Sequence, residues 1–190
     1  MADRKHPDQA RWDAKYGSPE RTAAVEPAEF LKKNLSLLPK GVALDIAAGE
    51  GRNAVFLAES GFTVDAVDIS PVGLAKAESL AAARGVTVHT IVANLEEFDF
   101  GKSHYDVIVN FSYLDRQLAP KIERALRPGG VLVFETFTVD QMDLPGGPKN
   151  PDYLIGHEEL RQLFRGLDVL HDSKTRTDTR AVASLIARKT

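Results

Sequence analysis

Ala43-Leu44-Asp45-Ile46-Ala47-Ala48-Gly49-Glu50-Gly51-Arg52-Asn53 decides the fold. Residues 42–46 are an apolar run that reads as a buried strand. The run stops at a turn holding two glycines, and a helical pattern begins at once with Ala54, Val55, Leu57 and Ala58. A strand that bends through glycine into a helix brings backbone N–H groups against a ligand. About 20 residues later, a second apolar strand over 63–67 ends on Asp68. A carboxylate there is placed to accept hydrogen bonds from both hydroxyls of a ribose. Together these features describe a nucleoside site.

Outward from that stretch, strands and helices alternate. Residues 27–38 read as a helix with Phe30, Leu31, Leu35 and Leu38 on one side, broken by Pro39-Lys40-Gly41. The helix after the turn spans 52–60 and stops at Gly61. Ser70-Pro71 caps and opens the next helix, which runs to Arg84 and ends at Gly85. Further strands are expected over 87–92, 105–109 and 131–136, with a loop over 94–102, a helix over 116–126 and a tight turn at Pro128-Gly129-Gly130. This rhythm predicts a parallel sheet covered on both faces. It then changes. Residues 139–152 hold three prolines and two adjacent glycines and read as a long loop, of the kind that usually forms lids or binding segments. A short helix over 157–164 follows. Strands over 167–170 and 182–187, joined by a polar turn over 172–179, should pair as an antiparallel hairpin. The chain divides into an N-terminal arm or cap, 1–26, carrying Trp12 and Tyr16, and one domain over 27–190.

At 190 residues one sizeable core is expected. A net charge of −3 argues against general binding of nucleic acid or membrane surfaces. The absence of cysteine rules out disulfides, thiolate metal sites and a cysteine nucleophile. With no apolar signal segment at residues 1–13 and no run near the ~20 apolar residues that span a bilayer, a cytoplasmic protein is expected. The histidines His6, His89, His104, His157 and His171 show no metal spacing and are read as structural. Lys174, Arg176, Arg180 and Arg188 are read as the solvated edge of the hairpin.

A dinucleotide site wants Gly-x-Gly-x-x-Gly, whereas this turn offers Ala47, Gly49 and Arg52. A nicotinamide oxidoreductase is therefore disfavoured, and the terminal hairpin disagrees with it too. No Lys-Ser or Lys-Thr pair follows the turn, so it is not a P-loop. Residues 44–51 resemble the first motif of class I S-adenosylmethionine-dependent methyltransferases. Asp68 in Val67-Asp68-Ile69-Ser70, Asn94-Leu95 and Arg127-Pro128-Gly129-Gly130 match three further motifs of that family, in order, over about residues 27–188. Gly51-Arg52-Asn53, Phe56-Leu57-Ala58 and the arm's Trp12-x-x-x-Tyr16 most resemble small bacterial members of the tellurite-resistance type. The family's first turn glycine is Ala47 here, and Asn94 stands where aspartate is commoner.

The resemblance implies an α/β Rossmann-like three-layer sandwich with a seven-stranded sheet, one strand antiparallel. It implies S-adenosyl-L-methionine as cofactor and S-adenosyl-L-homocysteine as product. Asp68 would hold the ribose. Asp45 would orient the turn or reach the methionyl amine through water, with a purely structural turn acid as the competing role. Ala47, Gly49 and Gly51 would line the methionyl part. Arg52 would take the cofactor carboxylate or pair with a neighbour such as Glu50 or Glu59. Ile69, Leu95 and Phe111 are candidates to flank adenine, with Asn94 bonding its edge. Asn110 and Tyr16 complete the candidate cofactor set. Asn110-Phe111-Ser112-Tyr113 resembles the Asn-Pro-Pro-Tyr motif of base and glutamine methylating enzymes but lacks both prolines, which disfavours that substrate class. Tyr113, Phe137 and Tyr153 are candidates to line an acceptor pocket, with the arm and the 139–152 loop placed to cover it. No His-Asp or Glu base stands out, so no catalytic residue is assigned. The expected acceptor is a small molecule such as a thiol or a chalcogen oxyanion, which needs little base assistance. The competing reading is a non-catalytic protein that binds S-adenosylmethionine or S-adenosylhomocysteine. The expected assembly is a monomer or weak homodimer.

Overall fold

The protein is described by a computed structural model over residues 6–190. The first five residues of the expected arm lie outside the described residues. Seven strands, β1 (Val42–Ile46), β2 (Thr63–Asp68), β3 (His89–Val92), β4 (Tyr105–Phe111), β5 (Leu126–Phe137), β6 (Asp168–Arg176) and β7 (Ala181–Arg188), form one sheet in the order β3-β2-β1-β4-β5-β7-β6. β3, β2, β1, β4 and β5 run parallel, and β7 is antiparallel to both β5 and β6. The fold is the Rossmann-like α/β sandwich the sequence predicted.

Alternation along the strands builds the two cores. Leu44, Ile46, Ile108, Leu132 and Leu185 face one way, against α5 (Ala119–Ala125) and α6 (Glu159–Leu163). Ala43, Val64, Val107, Val131 and Val133 face the other, against α2 (Glu29–Lys33), α3 (Arg52–Glu59) and α4 (Pro71–Ala83). With both faces covered, β1, β4, the latter half of β5 and β7 are buried at nearly every position and read as largely apolar runs, whereas the edge strand β6 is mostly polar.

Several boundaries differ from the sequence reading. The arm is not merely polar: His6 caps and Pro7 opens a helix, α1 (Pro7–Gly17), whose Trp12 and Tyr16 stack one turn apart at 5.4 Å. Residues 27–38 split into α2 and a 3-10 turn at Leu35–Leu37, because Asn34 bonds back to the carbonyl of Phe30. The helix expected over 116–126 begins as a 3-10 turn, Arg116–Leu118, before α5. The Arg127–Gly130 turn is an excursion inside β5: Tyr105 pairs with Leu126 and Val107 with Val131, and the turn itself bonds Lys189. The hairpin strands are longer than expected, leaving only residues 177–180 as the turn.

The 139–152 loop is built rather than slack. It holds 3-10 turns at Val139–Asp143 and Pro151–Tyr153. Gln141 is fully buried, donates to the carbonyls of Gly146 and Thr179, and accepts from Ala181 N–H at 2.8 Å. Arg116 clamps the far end through the carbonyls of Asp152 and Leu154 and the carboxylate of Glu159.

Candidate cofactor and acceptor site

The turn after β1 is left-handed three times, at Ala47 (φ 54°), Gly49 (φ 56°) and Gly51 (φ 81°). Ala47 carries the strain that a side chain meets in this region, about 1–2 kcal/mol. Asp68, buried at the end of β2, clasps the turn. One carboxylate oxygen accepts Gly49 N–H at 2.8 Å and the other accepts Ser70 N–H at 2.9 Å. A carboxylate has about four acceptor positions, so Asp68 retains capacity for hydroxyl donors. Burial raises its pKa, against the pull of the Ser70, Gly49 and Ile69 N–H groups.

Asp45 lies beside the turn on the face that carries α3. It is 2% exposed, and its Oδ2 has no hydrogen-bond partner among the described residues. Burial pushes its pKa up to about 7, opposed by the Ala54 N–H and the Arg52 charge. Arg52, at the start of α3, is half-buried and forms no hydrogen bond or ion pair among the described residues, so the alternative pairing with Glu50 or Glu59 is not made. An orphaned acid oxygen and an unpaired guanidinium flank the turn. That pair fits an ammonium and a carboxylate, the two charges of an amino-acid tail.

Tyr16 covers this turn. Its hydroxyl oxygen would stand 2.7 Å from a Cβ on Gly49, and its ring packs on Gly73 in α4. The arm is fastened by Asp13 accepting from the Ser70 hydroxyl at 2.6 Å, by Lys76 donating to the carbonyl of Tyr16, and by Glu50. Burial raises the Glu50 carboxyl, but Arg21 at 2.8 Å and Lys76 at 3.1 Å outweigh it and hold its pKa low. Asn53, to which the sequence assigned no role, is buried and accepts Ala28 N–H at 2.9 Å, tying α3 to the start of α2.

The adenine candidates are spread. Ile69 follows Asp68 and is half-buried, and Asn94 turns its oxygen back to Glu96 N–H. Leu95 packs in the core on the α5 side and Phe111 in the core on the α3 side, so the fold does not bring these two into one slot. Asn110 is buried and donates to the carbonyl of Tyr113 at 2.8 Å, which shapes the segment after β4. Tyr113 is raised in pKa by burial first and then by Asp115, Glu96, Asp8 and Asp68. Tyr153 is exposed and shares a small groove with Arg11, Trp12 and Lys15 of α1.

Phe137, at the end of β5, lies under the guanidinium of Arg180 at 5.4 Å. This corrects the reading of Arg180 as solvated hairpin edge. The tight turn over 177–180 points it inward, where it donates to Glu135 at 2.8 Å. Ser184 donates to the other oxygen of Glu135, also at 2.8 Å. Neither Glu135 nor Ser184 was marked by the sequence, because each is a lone polar residue inside an apolar strand. No group of three or more His, Asp or Glu among the described residues is placed to hold a metal. No helix among them is long and apolar enough to cross a membrane.

Residues 43–130 match the model of a methyltransferase domain family. The chain is 35% identical over 109 residues to a provisionally assigned methyltransferase of Geobacillus sp. strain WCH70, covering 53% of this chain and 44% of that protein. It is 32% identical over 111 residues to an uncharacterized methyltransferase of Synechocystis sp., covering 54% and 50%. The chain thus spans about half the length of the curated relatives it matches. Among solved structures, a S-adenosylmethionine-dependent methyltransferase of Methanosarcina mazei superposes with a TM-score of 0.68 at 20% identity, over 86% of this chain and 98% of that one. At that identity the likeness concerns the fold.

Proposed function

We propose that this chain, whose residues 43–130 match a methyltransferase domain family, is a S-adenosylmethionine-dependent methyltransferase acting on a small, soft acceptor. The observation that carries the reading is the flanked turn. Asp45 offers an unpartnered acid oxygen, Arg52 offers an unpartnered guanidinium, and Asp68 holds the loop between them. These residues fit the ammonium and carboxylate of the cofactor's methionyl end, with Asp68 on the ribose side. S-adenosylmethionine supplies a methyl group on a positively charged sulfur, which departs as a neutral thioether. The chain's part is alignment and exclusion of water. Tyr16 and α1 cover the turn from outside, and Phe137 with Arg180 closes the β5 side.

A soft acceptor is supported by the surroundings. Glu135 is engaged by Arg180 and Ser184, and Asp45 lies beside the methionyl end, so neither stands free as a base. The likeness of Gly51-Arg52-Asn53 to tellurite-resistance-type enzymes points the same way.

Titration calorimetry with S-adenosylhomocysteine tests the reading, followed by transfer of labelled methyl into thiol and chalcogen acceptors. We expect binding in the wild type. Asp68→Ala should weaken it by roughly 1–3 kcal/mol through lost charge-assisted bonds. No binding to folded wild-type protein at millimolar ligand would defeat the assignment, and binding without turnover on any acceptor would favour the non-catalytic reading.

A further inference from the structure

Arg180 is held as a recognition group is held. One of its terminal nitrogens donates to Glu135 at 2.8 Å, Glu135 is fixed in turn by Ser184, and the guanidinium lies over Phe137. Its other donors form no hydrogen bond among the described residues, and Nε is buried without an acceptor. The side chain as a whole remains 39% exposed, so a solute can reach it. A guanidinium serving only an internal ion pair would be expected to spend its donors on protein oxygens.

Its position is equally specific. Asp68 ends β2 and Asp45 lies on β1, so under the proposed function the cofactor runs from β2 across β1 and its far side opens toward β4 and β5. Register pairs Asp45 with Val109 and Val109 with Val133. Glu135 and Phe137 therefore stand one and two same-face positions further toward the open end of the sheet. Arg180 sits above them.

Charge completes the argument. Arg52 and Arg180 are close enough that Arg180 depresses the pKa of Arg52, after the larger effect of burial. Under the proposed function the cofactor's carboxylate takes the charge of Arg52 and its ammonium faces Asp45, while Glu135 engages one terminal nitrogen of Arg180. The remaining N–H groups of Arg180 are cationic donors left on the side from which an acceptor must approach.

We infer that the methyl acceptor is a small anion whose negative group docks on the free edge of Arg180 above Phe137. The fork of a guanidinium matches a carboxylate or another oxyanion. The Phe137 ring supplies an apolar floor for the remainder of an organic acceptor. This assignment rests on the proposed function and names its substrate class.

The test uses the full chain saturated with S-adenosylhomocysteine and titrated with mercaptoacetate, 3-mercaptopropionate and 4-mercaptobenzoate, each against its primary amide, and with selenite. We expect at least one carboxylate to bind tenfold or more tightly than its amide. Arg180→Gln should erase that preference and Arg180→Lys should restore part of it, each measured at saturating S-adenosylhomocysteine. Should Arg180→Gln misfold because Glu135 is left buried and unpaired, Glu135→Gln/Arg180→Gln removes both charges and should show the same loss. Selenite binding that depends on Arg180, without any carboxylate preference, would assign the subsite to an inorganic oxyanion. Normal S-adenosylhomocysteine binding with no anion preference, or a preference that survives Arg180→Gln, overturns the acceptor assignment alone. Failure of S-adenosylhomocysteine to bind the wild type overturns the proposed function and this assignment with it.

Discussion

At Asp45 the needs of folding and of ligand binding oppose each other. Its carboxyl is buried with one oxygen unpartnered, and its pKa rises from 3.8 to about 7. Between those values the folded state holds a proton that the unfolded chain releases. This group's contribution to stability is thus fully present below about pH 4 and declines as pH rises through 7. Asp45→Asn mimics the protonated form. We expect the ligand-free variant to melt a few degrees above the wild type at pH 8 and to match it near pH 4, as followed by circular dichroism. In the same variant, S-adenosylhomocysteine affinity should fall at pH 8. Wild-type affinity should weaken below pH 7 as the acid takes up its proton. Asp45 and Asp68 were both legible from sequence because each stands in the last two positions of an apolar strand, at a fixed distance from the glycine turn. Arg180 was not: one more cation in a basic tail carries no sign of the carboxylate it will meet 45 residues away.

Among the elements, α3 and α4 meet closely at Gly51. A Cβ on Gly51 would lie 2.4 Å from the Ala77 Cβ and 2.8 Å from its Cα, at a φ of 81°. Gly51→Ala should cost about 2–4 kcal/mol, from overpacking and left-handed strain together, read as a lower urea midpoint. Gly85→Ala, with a similar φ and open space around it, should cost only the strain, about 1–2 kcal/mol. The other informative element is α1. Trp12 is the protein's one tryptophan and stacks on Tyr16, which rests on the turn. S-adenosylhomocysteine should therefore change Trp12 emission, and Tyr16→Ala should abolish that change and speed ligand release, measurable by stopped flow. The sequence marked Trp12 and Tyr16 as the arm's large apolar groups. It did not show that the arm is a helix docked on α4, since the docking depends on Ser70, Glu50 and Lys76 meeting Asp13, Arg21 and the Tyr16 carbonyl in space.

Across the whole molecule, one buried amide joins the end of β5 to the hairpin. Gln141 bonds Thr179, Ala181 and Gly146 from within the 139–152 loop. Gln141→Ala leaves the Ala181 N–H without an acceptor and should destabilise the protein by about 1–3 kcal/mol. Hydrogen exchange should then quicken at Ala181 before it does in β1 or β4.

The parallel-then-hairpin architecture was written in the chain itself. Strand period, glycine turns and capping residues act between neighbours a few positions apart, and such contacts can be read along a sequence. So can the glycine turn and its two acids, which stand at or next to strand ends. What the tertiary structure alone decided is which distant polar groups share a space: Arg180 with Glu135 and Phe137, Arg52 left without a partner among the described residues, and Tyr16 laid over Gly49. Those pairings arise when β5 and β7 are brought edge to edge and α1 folds back on α4. The energy of a charge depends on what surrounds it in three dimensions, not on its neighbours along the chain.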